Sequence, residues 1–261
     1  VAYAFRGYIR LKTDMRHIPR IYVEGLLFKE AIVTLTPQER RHVGSVLRLS
    51  LGDAVRVFNA QSGEWQARIT DQRAGTLVCV HQICAAPSSL VGPRLLFPIL
   101  KGPRLALLIE KAVELGVSIL TPIITKYTAL TNFHKTRWQA VAKQATEQSG
   151  QGRIPSLQDP QDLRALLETW PTDTPLFVGD ERIKVASRDV FCKGFPQEAS
   201  FLVGPEGGFA PEEFAFFSCL PFVQSISLGP TTLRTETAAI ALLALYQALK
   251  ERESLSCETQ P

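Results

Sequence analysis

Two short stretches combine glycine with ionisable side chains: Gly204-Pro205-Glu206-Gly207-Gly208, and Gly229-Pro230-Thr231-Thr232-Leu233-Arg234-Thr235-Glu236. In the first, the glycines let the backbone turn sharply and approach a ligand closely, because no Cβ stands in the way. Each stretch follows a predicted strand: the apolar run Phe201 to Val203, which reads as the end of a buried strand, and Val223 to Leu228. Each also precedes a helix start. Pro211 suits a first helical position, with Glu212 and Glu213 in the first turn, and Thr235 opens a long apolar helix to about Lys250. A strand, a glycine loop and a helix in that order place a ligand at the carboxyl end of a strand in an α/β sheet. The spacing alone fits two ordinary strand–turn–helix corners equally well. Neither the phosphate-loop nor the dinucleotide fingerprint occurs at these positions. Glu236 also has a purely structural use, since a carboxylate in a first helical turn is worth about 0.3–1 kcal/mol.

The elements that must position these loops read as a second, larger domain. Ala86 to Pro93 is rich in proline, serine and glycine and reads as a linker. Strands are expected at Arg94–Leu100, Ile119–Ile124 and Pro175–Gly179, the last ending in a polar turn, Asp180-Glu181. Helices are expected over Gly102–Leu115, with an apolar stripe at 105, 108, 109, 112 and 115, and over Thr136–Gln148 and Asp162–Glu168. Strands alternating with helices predict a mainly parallel sheet. The last helix is apolar on nearly every side from Ala238 to Leu245 and must be buried, either by its own domain or by a second copy of the chain. Residues 251–261 read as a polar, frayed tail.

Residues 15–85 read as a small β domain. Short β-rich runs lie at 32–35, 54–58, 64–69 and 76–80, and one helix is expected from Pro37 to Leu47 with Thr36 as its N-cap. Short strands around a small core suggest a barrel. This region holds nine Lys/Arg against six Asp/Glu, whereas residues 86–261 hold seventeen against eighteen. A basic excess in one small region suits a phosphate-rich partner, and Arg16, Arg20, Arg40, Arg41 and Arg48 are the candidates. Each is also compatible with solvated surface charge.

The 261 residues, 45% of them apolar, can bury a sizeable core. No apolar run approaches a membrane span, and residues 1–14 lack the apolar core of a signal peptide, so a cytoplasmic protein is expected. Met15 is the only methionine, and residues 1–14 read as an upstream extension peripheral to the fold. Five scattered cysteines and four scattered histidines form no readable metal site and predict no disulfide framework. No Ser-His-Asp or Cys-His arrangement is readable, so no covalent enzyme intermediate is expected.

The residues themselves carry more than their spacing. Leu202-Val203-Gly204-Pro205-Glu206-Gly207-Gly208-Phe209, followed by Leu228-Gly229-Pro230 and Leu233-Arg234-Thr235-Glu236-Thr237-Ala238-Ala239, closely resembles the RsmE family of bacterial 16S rRNA (uracil-N3) methyltransferases, of the SPOUT class. Met15 to Tyr22, the His42 to Asp53 pattern, Lys111 to Val117 and Glu147 to Gly150 extend the resemblance over about residues 15–250. It implies a SPOUT α/β trefoil-knot domain over 94–250, a PUA-like RNA-binding β-barrel over 15–85, and a homodimer through the C-terminal domain. It also implies S-adenosyl-L-methionine (SAM) as methyl donor and 16S rRNA, in the assembled small subunit, as substrate, with no metal and no membrane partner. By resemblance three loops hold the donor: Val178-Gly179; Val203-Gly204-Pro205-Glu206-Gly207-Gly208; and Leu228-Gly229-Pro230 through Leu233 and Thr235. Uracil N3 must lose a proton. Arg234 is expected to stabilise the developing anion, with Glu206 or Glu236 relaying the proton or orienting Arg234. Arg20 is expected near the cleft, and Lys101 is expected to face it. The chain departs from the family at Thr231-Thr232, where relatives usually carry a basic residue. Another SPOUT methyltransferase with a different base or RNA, or a non-catalytic RNA-binding protein, would be the rival readings.

Overall fold

A computed structural model of the protein describes residues 18–86, 91–128, 132–183 and 194–258. The chain divides into two compact units, Val1–Ala86 and Pro87–Pro261.

The first unit is a five-stranded sheet among the described residues. Its strands are β1 (Arg20–Tyr22), β2 (Ile32–Thr34), β3 (Ala54–Asn59), β4 (Gly63–Asp71) and β5 (Thr76–Cys84), in the order β1-β3-β4-β5-β2. All pairings are antiparallel except β1 with β3. Alternation puts Val55 and Val57 of β3, Ala67 and Ile69 of β4, and Leu77 and Cys79 of β5 into one core. The edge strands add Ile21 and Val33 to that core, so the sheet curls around it, as the barrel expectation requires.

Helix α1 (Pro37–Arg41) begins as the sequence predicts. The Glu39 amide donates to Thr36 Oγ1 at 3.3 Å, and the Thr36 amide donates to Glu39 Oε2 at 2.8 Å. That reciprocal capping satisfies two amides that the first turn leaves without partners. The helix does not stay α-helical to Leu47. From His42 to Val46 it widens into a π-turn, with the Leu47 amide on the His42 carbonyl. Arg48 follows at φ 52°. The short strand β1 was not legible, because three residues are too few to show alternation.

The second unit carries a wholly parallel sheet among the described residues: β6 (Arg94–Pro98), β7 (Ile119–Ile124), β8 (Ser156–Leu157), β9 (Gln161–Asp162), β10 (Leu176–Gly179), β11 (Ser200–Leu202) and β12 (Val223–Ile226). Its order is β12-β10-β11-β6-β7-β8, with β9 also on β7. The apolar strand runs feed both faces. Leu95, Phe97, Phe177 and Phe201 enter one core with α2 (Gly102–Glu114), α3 (Lys135–Ser149) and α6 (Thr235–Glu258). Leu96, Val178 and Leu202 enter another with α4 (Leu163–Glu168) and α5 (Pro211–Ser218). A sheet buried on both faces explains why these strands read as continuous apolar runs. The expected polar tail begins as helix, since α6 continues past Lys250 to Glu258.

Strand order positions the site. The chain lays down β6, β7 and β8 outward, returns to β10, inserts β11 between β10 and β6, and ends with β12 outside β10. The carboxyl ends of β11, β10 and β12 are therefore neighbours on one edge, and the loops that leave them converge. A parallel sheet binds ligands at such a reversal of strand order.

Candidate active site

The three loops enclose a cleft of about 590 Å³. Its walls bring together Val178 and Gly179, Gly204 to Gly208, Leu228, Gly229, and Leu233 to Thr235. Of the residues that the resemblance assigns to a donor site, all but Val203 and Pro230 therefore lie on one cavity. Val203 lies fully buried just behind the wall.

Glycine suits specific points of the wall. A Cβ on Gly204 would lie 3.0 Å from the Phe209 ring, and one on Gly179 would lie 3.3 Å from Leu228 Cδ1. Gly208 (φ 70°) and Gly229 (φ 112°) hold backbone conformations that favour glycine. Around Gly208 and Gly229 no atom would touch a Cβ, so the demand there is conformational and the backbone faces open space. The Thr235 hydroxyl donates to the Gly204 carbonyl at 2.8 Å, which ties the start of α6 to the first glycine loop. The glycine backbone and the apolar Val178, Phe209, Leu228, Leu233 and Ala238 make one part of the wall, a surface that suits a heterocycle.

The cleft also carries ionic groups. Glu236, in the first turn of α6, is only 6% exposed. Arg104 of α2 meets it side-on, with Nε to Oε1 at 3.0 Å and Nη2 to Oε2 at 2.5 Å. The remaining edge of the same guanidinium pairs with the exposed Glu206 of the glycine loop. Burial alone would raise the Glu236 pKa. The Arg104 hydrogen bonds, the α6 backbone amide and the nearby charges of Arg104 and Arg234 outweigh it, and the net pKa lies below the ordinary range. The Glu236 hydrogen bond is likewise the main cause that raises the Arg104 pKa. Glu236 is thus committed to Arg104, which favours positioning over proton transfer.

Arg234 lines the cleft and is exposed. Among the described residues no ion pair or side-chain hydrogen bond holds it. On the opposite wall, Asp180 is buried and accepts Arg182 Nε at 2.8 Å and Nη2 at 2.9 Å. Arg104, Asp180 and Arg182 escaped the sequence reading. The signal for Arg104 is indirect: two acids expected at one cleft need a cation, and Arg104 is the one charged residue in the first half of α2.

The other candidates lie elsewhere. Lys101 is exposed at the N-cap of α2. In the first unit Arg20 donates to Glu64 Oε2 at 3.1 and 2.9 Å and lies 4.1 Å over the Phe58 ring, so its charge is met within that unit. Arg40, Arg41 and Arg48 are exposed. Arg40 and Arg41 flank a shallow depression with Gln72 and Arg73. Arg16 and the extension 1–14 fall outside the described residues. Among the described residues no group of His, Cys, Asp and Glu could hold a metal, and no helix is long and apolar enough to cross a membrane.

Comparison with known proteins agrees with this geometry. A family model described as an RNA methyltransferase domain matches residues 91–247, and one described as an RNA methyltransferase PUA domain matches residues 35–79. Fold and site define an RNA methyltransferase with an N-terminal PUA domain. The ribosomal RNA small subunit methyltransferase E of Rickettsia conorii is 29% identical over 88% of this chain and 95% of its own. A methyltransferase structure from Legionella pneumophila, in complex with SAM, is 30% identical with a TM-score of 0.78, covering 88% of this chain and 97% of that one. The ribosomal RNA small subunit methyltransferase E of Neisseria gonorrhoeae, bound to SAM, is 28% identical with a TM-score of 0.76, covering 89% and 98%. The chain belongs to the RsmE family of RNA methyltransferases.

Proposed function

We propose that this protein methylates N3 of a uracil in 16S rRNA with SAM as donor. One observation carries the reading: three loops from adjacent parallel strands form a single glycine-lined cleft with Arg234 on its rim. The support for the donor is that backbone of the glycine loops at Gly179, Gly204, Gly207, Gly208 and Gly229 lines the cleft beside the apolar Val178, Leu228 and Leu233. Val178, Gly179, Val203 to Gly208, Leu228 to Pro230, Leu233 and Thr235 would hold it. When bound, SAM supplies a methyl group on a sulfonium, a good leaving group that needs no Lewis acid.

The chain's own residues manage the acceptor. Arg234 places a positive charge beside the cleft, where it favours the uracil anion formed as the N3 proton leaves. Glu236 holds Arg104, and Arg104 holds Glu206, so the glycine loop, α2 and α6 share one ionic clasp. Of the two acids Glu206 faces solvent and can pass a proton to water; Glu236 is buried and has a depressed pKa. Arg40, Arg41, Arg48 and Lys101 are exposed cations suited to RNA phosphates, with Arg16 and Arg20 completing the set the resemblance implies.

The SPOUT trefoil knot, a homodimer, the assembled small subunit as substrate and a cytoplasmic site of action belong to the same reading. The dimer is supported by α6, whose inner face buries Ala239, Leu242, Leu243 and Tyr246 while Thr237, Ala244 and Ala248 remain exposed on the other. Mass spectrometry of 16S rRNA from a strain lacking the protein tests the substrate. Loss of one N3-methyluridine, restored by the wild-type gene, is expected. Loss of a different modification, or of none, would overturn the assignment.

A further inference from the structure

A uracil that enters this cleft must leave its stack, and the one aromatic ring among the cleft-lining residues, Phe209, is already engaged edge-on with Phe217 at 4.9 Å between centroids. Just outside the cleft wall stands Tyr127, 46% exposed. Its side chain lies against Gly207 of the glycine loop: a Cβ built on Gly207 would be 3.6 Å from Tyr127 Cβ and 3.7 Å from its Cδ2. The turn that carries it is fixed from several sides. The Thr128 amide donates to the Thr125 carbonyl at 3.0 Å, and the Thr125 amide donates to Thr128 Oγ1 at 2.8 Å. The two threonine hydroxyls share a hydrogen bond at 2.9 Å. The Lys126 amide donates to Glu213 Oε1 at 2.7 Å, and Glu213 Oε2 accepts the Ala210 amide at 2.9 Å. Lys126 Nζ pairs with Glu212, so the turn offers no spare cation for a phosphate.

Tyr127 thus presents a half-exposed aromatic ring on a clamped turn, in contact with the cofactor-loop glycine. We propose that Tyr127 is the stacking platform that receives an unstacked base of the RNA substrate at the mouth of the cleft. The proposal rests on the RNA methyltransferase reading above. Stacking on an aromatic face is the general means by which proteins hold single-stranded bases, and a fixed turn places that face in advance. Tyr127 is a positioning residue in this account. Its ring face carries the effect, and its hydroxyl and its apolar contact with Gly207 do not.

Four forms of the full-length protein separate these contributions: wild type, Tyr127→Phe, Tyr127→Leu and Tyr127→Ala. Each is assayed for methyl transfer to small subunits lacking the modification, for SAM affinity by calorimetry and for oligomeric state by sedimentation. Tyr127→Phe is expected to keep kcat/KM within about twofold. Tyr127→Leu preserves the contact with Gly207 but lacks the π-face. It and Tyr127→Ala are expected to lose about 5- to 150-fold in kcat/KM, the range that base–aromatic stacking of about 1–3 kcal/mol implies. SAM affinity and sedimentation should not move. Full activity in Tyr127→Leu would reduce Tyr127 to packing. A parallel loss of SAM affinity would reduce it to loop support, and an altered oligomeric state would assign the face to a protein contact; each overturns the proposal. If wild type itself fails to methylate the subunits, the proposed function falls. The platform is then judged by photocrosslinking to a 5-iodouridine oligoribonucleotide: adducts on Tyr127 support it, and adducts only elsewhere overturn it.

Discussion

Replacing Arg104 with leucine removes the centre of the ionic clasp, and the structure fixes the scale of the damage. Arg104 makes two charge-assisted hydrogen bonds to Glu236, which is 6% exposed. Breaking a buried pair by deleting one partner costs about 3–5 kcal/mol, because the other charge is stranded. Two features lower that figure. The Arg104 side chain is 24% exposed, so water can reach the vacated edge. Glu236 also keeps the favourable end of the α6 dipole, worth about 0.3–1 kcal/mol. Arg104→Leu is therefore expected to destabilise the second unit by about 2–3 kcal/mol. The Arg104–Glu206 arm is solvent-exposed and worth about 0–1 kcal/mol, so Glu206→Gln should be nearly silent for stability. Urea unfolding followed by tryptophan fluorescence in a Trp65→Phe background isolates the second unit, since Trp138 and Trp170 both lie in it. The double variant Arg104→Leu/Glu236→Leu should be less destabilised than the sum of the singles by about 2 kcal/mol. Additivity within about 0.5 kcal/mol would refute the clasp. The pH dependence has a definite sign. Glu236 is depressed in the folded state, so the unfolded chain binds the proton more readily. The contribution is fully present above the ordinary glutamate pKa of about 4.3 and is lost as pH falls through the lower folded value. Glu236→Gln should remove that part of the acid sensitivity.

Three further outcomes are expected. Gly229→Ala forces a side chain into a backbone conformation at φ 112°, and should cost about 1–3 kcal/mol and weaken SAM binding in calorimetry. Thr36→Ala removes the reciprocal cap of α1 and should destabilise the first unit by about 1 kcal/mol, read from Trp65 fluorescence in urea. Thr231→Arg restores a positive charge on the cleft wall, and should raise kcat/KM for small subunits several-fold at low salt while steepening the salt dependence.

Much of this architecture was legible because its signals are local. Buried parallel strands announce themselves as apolar runs, Thr36-Pro37 announces a helix start, and Gly204 to Gly208 announces a sharp turn that a ligand could approach closely. Three donor loops could be assigned together only through the resemblance, since nothing local says that β10 lies between β11 and β12. That adjacency comes from long-range pairing. Arg104 was missed for the same reason: its partners lie about 100 and 130 positions away, and periodicity along α2 reports the face that packs rather than the residue that reaches out of it. The end of α6 is not legible in composition, because the polar residues after Lys250 suggest a frayed tail, whereas Glu, Arg, Ser and Leu are compatible with continuing a helix once it is nucleated. Arg20 adds a feature that composition could not show: the structure pairs it with Glu64, an acid 44 positions away on a neighbouring part of the sheet.

The account stands or falls on Arg234 beside a SAM-filled cleft. The most direct measurement is methyl transfer from labelled SAM to small ribosomal subunits lacking the modification, with wild type and Arg234→Ala side by side and the labelled nucleoside identified by mass. The account predicts N3-methyluridine with wild type, and a loss of roughly 100- to 1,000-fold in rate with Arg234→Ala at unchanged SAM affinity. Label on another nucleoside, or full activity without the arginine, would contradict it.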